Sequence, residues 1–393
     1  MRRDPVHEIR VSVAEVTPKT RWIFVELTAD SGLRGTGEGT LTGQEDAVVQ
    51  AVRQFAPSVF ALTEASPDQL SAPALPGLAQ AAAYSAVDQA LWDVAAQQRG
   101  ERLADALGLV QRSSIPLYAN INRRTLDRSP AGFAASARQA IAAGHAAIKV
   151  APFDEATPDV RRAGALAVAI QPGLERIAAV RAEIGPRRLM VDCHWRLDEA
   201  AAETVIAAAA ELKVHWVECP LPETPAQLAA LARLRRRADR RGVLLAGCEQ
   251  GIGTAGFEPF LRAGAYDVMM PDAKYVGGLA EMLRLAETMR RAGVAFSPHN
   301  PSGPVCHAVS LHLCGVAAGL HSLEVQYDET PLFDELVGQP QQETKCLDGV
   351  VGLPTAMGLG VALQPAALKR CRIGGWRATR QGNQYVFHEG ENR

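Results

Sequence analysis

From about Ile115 to Val325 the chain repeats one pattern: a short apolar run, then an Ala-rich amphipathic stretch, then another apolar run. That alternation marks βαβ units, in which crossover helices join parallel strands and cover the faces of the sheet. The spacing predicts strands over residues 116–119, 146–150, 189–193, 215–218, 244–248, 267–270, 294–297 and 322–325. Eight such segments suit an α/β fold closed into a barrel better than an open sheet.

What precedes the repeat reads differently. Strand-like runs over 6–16, 21–29 and a Gly-punctuated 33–39, with a hairpin signal at Ser31-Gly32, are followed by helical stretches from Gln44 and over 79–100. Gly100 is placed to terminate the second helix. This is a small α+β unit. After Glu329 the chain is rich in Gly, Pro and Gln and shows no further βα unit, so the tail is expected to return to the N-terminal unit. At 393 residues, two or three units agree with a soft prior of roughly 150 residues per domain.

Ionisable residues fall at one recurring place in the repeat. Lys149, Asp192, Glu218, Glu249, Asp272, His299 and Glu324 each lie at or just beyond the C-terminal end of a successive expected strand. In a barrel those ends meet around one cavity, which is where active sites form. Three carboxylates on consecutive strands favour a hard, oxygen-preferring cation, and Mg²⁺ is the preferred metal. The competing set of Cys193, His194, Cys219 and Cys248 is disfavoured because neighbouring side chains on a strand alternate faces, so Cys193 and Cys219 should point away from Asp192 and Glu218. Asp272 and His299 lie on adjacent strands, a pairing that orients an imidazole and supports its positive form. His194, two residues beyond Asp192, faces the same cavity if the strand continues, and otherwise caps the following helix.

Composition narrows the partner. A formal net charge of −2 with 21% charged residues indicates neither nucleic-acid binding nor an acidic tail, so a small molecule is expected. The N-terminus has basic residues without an apolar stretch behind them, and no run reaches the about 18 apolar residues of a membrane span, so a cytoplasmic protein without membrane association is expected. The seven cysteines occur without a CxxC pair and are expected to be reduced and structural.

The motifs Ser85-Ala-Val-Asp-Gln-Ala-Leu-Trp-Asp93, Val191-Asp-Cys-His194, Val217-Glu-Cys-Pro-Leu221, Gly247-Cys-Glu249, Met270-Pro-Asp-Ala-Lys274 followed by Gly277-Gly278, and Ser297-Pro-His-Asn-Pro301 span nearly the whole chain. In this order they resemble the enolase superfamily, specifically its mandelate racemase/muconate lactonizing enzyme-like members and their acid-sugar dehydratases. The resemblance implies a modified TIM barrel, (β/α)₇β, at 116–328, beneath an α+β capping domain at 1–115 joined by the C-terminal segment 329–393. It implies Asp192, Glu218 and Glu249 as Mg²⁺ ligands. His299, paired with Asp272, would remove the proton α to a carboxylate, and Glu324 would hydrogen-bond that carboxylate as an enediolate forms.

One position departs from the pattern. Racemases and cycloisomerases of the family carry Lys-x-Lys where this chain has Lys149-Val-Ala151, so the second base is missing. Lys149 keeps either a substrate-binding or an ion-pairing role. With His194 resembling the histidine that helps a 3-hydroxyl leave in certain sugar-acid dehydratases, the resemblance favours a hydro-lyase giving a 2-keto-3-deoxy acid. The alternative is an epimerase, racemase or cycloisomerase on the same fold. Thr20, Arg21 and Trp22 of the cap, and Asn300 beside the base, are candidate substrate-binding residues, and a homo-oligomer is expected.

Overall fold

The computed structural model describes residues 3–71, 73–338, 345–382 and 384–389. Parts of the expected N-terminal unit (1–2 and 72) and of the tail (339–344, 383 and 390–393) lie outside the described residues.

Eight parallel strands form the barrel: β4 (Ser114–Asn120), β5 (Ala147–Val150), β6 (Arg188–Asp192), β7 (Trp216–Glu218), β8 (Leu244–Gly247), β9 (Val268–Met269), β10 (Ala295–Phe296) and β11 (Leu323–Gln326). Each lies within about two residues of its expected segment. The sheet runs from β10 through β9, β8, β7, β6, β5 and β4 to β11. Between β10 and β11 the wall is closed just before β11, where Phe296 bridges Leu320 and His321 N donates to Phe296 O at 2.7 Å. A helical connection separates each strand from the next, so the order is (β/α)₇β. Among the described residues, no helix is long and apolar enough to cross a membrane.

The interior of the barrel explains where the polar residues go. Tyr118, Ala147, Met190, Trp216, Ala246, Val268 and Met270 pack together as an inner apolar layer. Two residues further along five of these strands stand Asn120, Lys149, Asp192, Glu218 and Asp272. Because strand side chains repeat every second residue, the same inward face that fills the floor of the barrel delivers these groups to its mouth.

The capping unit is an antiparallel sheet that brings together both ends of the chain. Its first strands are β1 (Val6–Thr17), β2 (Thr20–Ala29) and β3 (Arg34–Glu38). From the tail come β13 (Arg372–Gln381) and β14 (Gln384–Glu389), in the order β14-β13-β1-β2-β3. The tail thus returns as strands, which its Gly- and Arg-rich sequence did not announce, and it also contributes β12 (Val350–Gly352), antiparallel to β4. Helices Glu45–Phe60 and Leu78–Arg99 cover one face of this sheet. The glycines of β3 permit the contact: a Cβ at Gly35 or Gly37 would lie 1.9 Å from the carbonyl oxygen of Ala90 or Ala86. Gly100 takes φ 69° and ends the second helix.

Cap and barrel are joined by apolar packing, in which Ala14, Val16, Trp22 and Phe24 enter the barrel core, and by polar contacts at helix starts. Asp88 accepts from Leu279 N at 2.7 Å, at the first residue of the barrel helix Leu279–Arg291. Glu38, fully buried, accepts from Gly303 N at 2.7 Å and Cys306 N at 2.9 Å, at the start of helix Pro304–Val316. Two cap carboxyl groups therefore accept from backbone donors that these helices cannot satisfy themselves, although burial pushes both carboxyls up, Asp88 to about 7. Gln89 adds a bond from its Nε2 to Ala273 O at 3.3 Å. Replacing Glu38 with Ala strands two buried N–H groups and is expected to lower stability by about 2–4 kcal/mol. The urea midpoint of Glu38→Ala should fall with far-UV circular dichroism unchanged, and an unaltered midpoint would contradict this docking role.

Candidate active site

At the barrel mouth Asp192, Glu218 and Glu249 each offer a carboxylate oxygen, and these atoms lie within 4.8 Å of one another. All three residues are buried. Lys149 reaches into the group: its Nζ is 2.6 Å from Glu218 Oε1, 2.7 Å from Glu324 Oε1 and 3.9 Å from Asp192 Oδ2. Trp216 Nε1 donates to the other oxygen of Glu218 at 3.0 Å.

Backbone turns at the strand ends set this arrangement. Cys248 has φ 68°, and after it the chain brings Glu249 into the mouth while Cys248 itself packs in the shell between barrel and helices. Cys219 at φ 45°, His194 at φ 46° and Trp195 at φ 58° occupy the same left-handed region beside the other two carboxylates. Non-glycine residues seldom sit there, and such positions persist where surrounding contacts hold them. One consequence corrects the alternation argument. Cys193 does pack away from the mouth, but Cys219 Sγ lies 3.9 Å from Glu249 Oε2 and 3.8 Å from Glu223 Oε1. Among the described residues, Asp192, Glu218 and Glu249 form the cluster able to hold a metal, and no cysteine joins it.

The electrostatics are unbalanced. Burial pushes the Glu218 carboxyl up, and neighbouring carboxylates add to this against the opposing pull of Lys149. Burial likewise raises Glu249, helped by Asp192 and Glu218. Burial works against the charge on Asp192 too, yet His194 and Lys149 hold it below its usual range. Lys149 loses charge stability through burial, but Glu218 and Glu324 outweigh that and keep its ammonium well above the usual lysine range. Asp192, Glu218 and Glu324 thus share the Lys149 ammonium, with Glu249 beside them. A buried all-oxygen donor set with surplus negative charge fits a hard divalent cation.

On the neighbouring strands, His299 Nδ1 lies 2.7 Å from Asp272 Oδ2, and its Nε2 is 3.5 Å from Glu249 Oε2. Asp272 also binds Lys274, whose backbone N donates at 2.8 Å and whose Nζ donates at 2.7 Å. Burial opposes the Asp272 charge, but Lys274 and His299 hold the carboxyl below its ordinary range. An ionised Asp272 makes Nδ1 the donor and leaves Nε2 as the nitrogen with a free lone pair.

The remaining expected residues divide. His194 is 37% exposed, with Nε2 2.8 Å from Asp192 Oδ2 and its backbone N donating to Asp192 Oδ1 at 2.8 Å, so it stands at the mouth and does not cap the next helix. Glu324 accepts from Lys149, from Asn120 Nδ2 at 2.8 Å and from Asn300 N at 3.0 Å. Burial opposes its charge, while Lys149, His299 and these donors hold the carboxyl below its ordinary range. Asn300 is occupied as well, donating from Nδ2 to Glu324 O and lying 3.0 Å from His307 Nδ1. Thr20 bonds Glu329 through its hydroxyl, and Arg123 donates to the same carboxylate at 3.1 Å, which places the cap hairpin over the β4–β11 side of the mouth. Trp22 is buried against Phe24 and Phe333. Arg21 is turned away, paired with Glu15 at 3.1 Å on the exposed side of the hairpin.

Sequence reasoning passed over Asn120 and Lys274. Asn120 ends the first barrel strand, in the same register as the acids, but an uncharged amide was not counted. Lys274 sits two residues after Asp272, and only the folded turn reveals their contact.

Comparison with known proteins agrees with this geometry. Residues 132–367 match the family described as enolase C-terminal domain-like, and residues 1–108 match the mandelate racemase/muconate lactonizing enzyme N-terminal domain. A D-gluconate dehydratase of Thermoproteus tenax is 28% identical over 373 residues, covering 90% of this chain and 71% of that protein. A D-galactonate dehydratase of Verminephrobacter eiseniae is 28% identical over 365 residues, covering 90% and 91%. The crystal structure of a mandelate racemase/muconate lactonizing enzyme from Sulfitobacter sp. superposes with a TM-score of 0.81 at 24% identity, covering 99% of this chain and 100% of that one. The chain belongs to the mandelate racemase/muconate lactonizing enzyme family of the enolase superfamily, in both its N-terminal and its barrel domain.

Proposed function

We propose that this protein is a Mg²⁺-dependent acid-sugar dehydratase, with Asp192, Glu218 and Glu249 as the metal ligands. The observation that carries the reading is the presence of a single oriented base. His299, held by Asp272, offers Nε2 on one wall, while the opposite wall has a charged Lys149 and, at the position after next, the small side chain of Ala151. A two-base transfer that inverts a stereocentre lacks its second partner, whereas elimination needs one base and one acid. The names of the two curated relatives support the same class.

When bound, Mg²⁺ supplies Lewis-acid charge against the negative charge that develops as the α-proton leaves. The chain supplies the rest. Lys149, fixed between Glu218 and Glu324, offers a permanent positive charge to the substrate carboxylate end. His299 Nε2 takes the α-proton, and the Asp272 carboxylate supports the imidazolium that results. The electron pair of the C–H bond moves into the carboxylate to give an enediolate, then returns to form the C2–C3 double bond as the C3–O bond breaks. The departing hydroxyl takes a proton from His194 and leaves as water. The enol that remains tautomerises to a 2-keto-3-deoxy acid.

Two variants separate these roles. His299→Asn should lower both α-deuteration in D₂O and keto-acid formation from D-gluconate or D-galactonate by at least about 10²–10⁴-fold, with Mg²⁺ affinity retained. Equal loss of Mg²⁺ binding would remove His299 from the role of base. His194→Asn should slow keto-acid formation by about 10²-fold or more while α-deuteration persists. If both signals in His194→Asn match wild type, the leaving group obtains its proton elsewhere, and exchange in wild type without keto product would point to an epimerase.

A further inference from the structure

One buried polar atom at the barrel mouth is left unused by the chemistry above. Gln326 ends β11, is 4% exposed, and stands two residues beyond Glu324, so the two side chains share the inward face of the strand. Its Nε2 donates to the carbonyl oxygen of Asn120 at 3.2 Å across the β4–β11 seam. That contact fixes the amide, because the flipped orientation would set two acceptors against each other. Oε1 is therefore an acceptor, and it is buried without a hydrogen-bond partner among the described residues.

A buried carbonyl without a donor is costly, and folded proteins pair such atoms with a polar group or with a water that a ligand can displace. The position tells which ligand group arrives there. Asn120 itself donates to Glu324, the carboxylate that holds Lys149, so the seam rises directly from the carboxylate-binding level of the site. Two residues of strand carry it about 7 Å further toward the mouth, the reach of a substituent several carbons from a substrate carboxylate. Above the seam lies the cap hairpin, tied down where Thr20 and Arg123 both bond Glu329. Tyr118 also has an unpartnered hydroxyl, but it belongs to the apolar floor beneath Lys149, on the far side from an entering chain.

We propose that Gln326 Oε1 accepts a hydrogen bond from a distal hydroxyl of the substrate, so that this residue selects polyhydroxy acids. The inference rests on the acid-sugar reading and deepens it. An amide acceptor suits a neutral hydroxyl donor, and the carbons of an aldonate beyond its carboxylate each carry one. Specificity of this kind is strong because an analogue lacking the hydroxyl leaves the buried acceptor unpaired.

Gln326→Met removes the acceptor at nearly constant volume, and Asn120 O keeps a second donor in Tyr327 N at 3.1 Å. The full-length, Mg²⁺-loaded protein is assayed with D-gluconate and D-galactonate and with analogues of each that lack one distal hydroxyl. In wild type, one deoxy analogue should lose about 10- to 100-fold in kcat/KM. Gln326→Met should lose a similar factor on the parent aldonate and no longer distinguish it from that analogue, with Mg²⁺ affinity unchanged. Full discrimination retained by Gln326→Met at every hydroxyl overturns the proposal, as does a parallel loss of Mg²⁺ affinity. Wild type inert toward both aldonates overturns the acid-sugar reading and this inference with it, a failure visible before any variant is compared.

Discussion

Three buried carboxylates, Asp192, Glu218 and Glu324, converge on the ammonium of Lys149, and a fourth, Glu249, stands beside Asp192 and Glu218. Burial of like charges at this separation is unfavourable, and its imprint is the raised carboxyls of Glu218 and Glu249 beside the lowered one of Asp192. Such a group is costly as a structural device and sensible as a cation site. The same charge balance favours the ammonium form of Lys149, in keeping with the proposal that His299 is the base.

That cluster needs strand ends held in fixed relation, and the rest of the molecule provides this. An apolar floor of Tyr118, Met190, Trp216 and Met270 sets the height of the polar ring above it. The His299 loop is fixed from outside the barrel: Glu38 of the cap binds Gly303 and Cys306, and Lys274 links Asp272 to Ser302. The cap therefore helps to fix the loop that carries His299. Its burial of Glu38 is made tolerable by two backbone donors and the Thr40 hydroxyl.

Much of this was legible in the chain, and the misses have physical causes. Strand-helix alternation located the eight barrel strands because parallel strands are apolar throughout and short. The ring of acids was legible because charge at a strand end is rare unless it faces a cavity. The motif 85–93 could be recognised but not explained, since Ser85, Asp88 and Gln89 bond Gly277, Leu279 and Ala273, about 190 residues away. The tail strands were hidden because β13 carries Gly374-Gly375 near its start and is tied to the cap sheet by the distant β1. The position of Cys219 escaped the alternation rule because a left-handed residue interrupts the strand period. Asn300 drew attention beside His299 and Arg21 as part of the cap loop, and in the fold their side chains bond Glu324 and Glu15.

The surplus negative charge at the mouth is the proposed Mg²⁺ site. Isothermal titration of the metal-free protein with Mg²⁺, alongside Glu218→Gln, tests this most directly. Saturable binding of one ion per chain in wild type, weakened more than about tenfold in Glu218→Gln, is the predicted result. No saturable binding in wild type, or equal affinity in the variant, would contradict it.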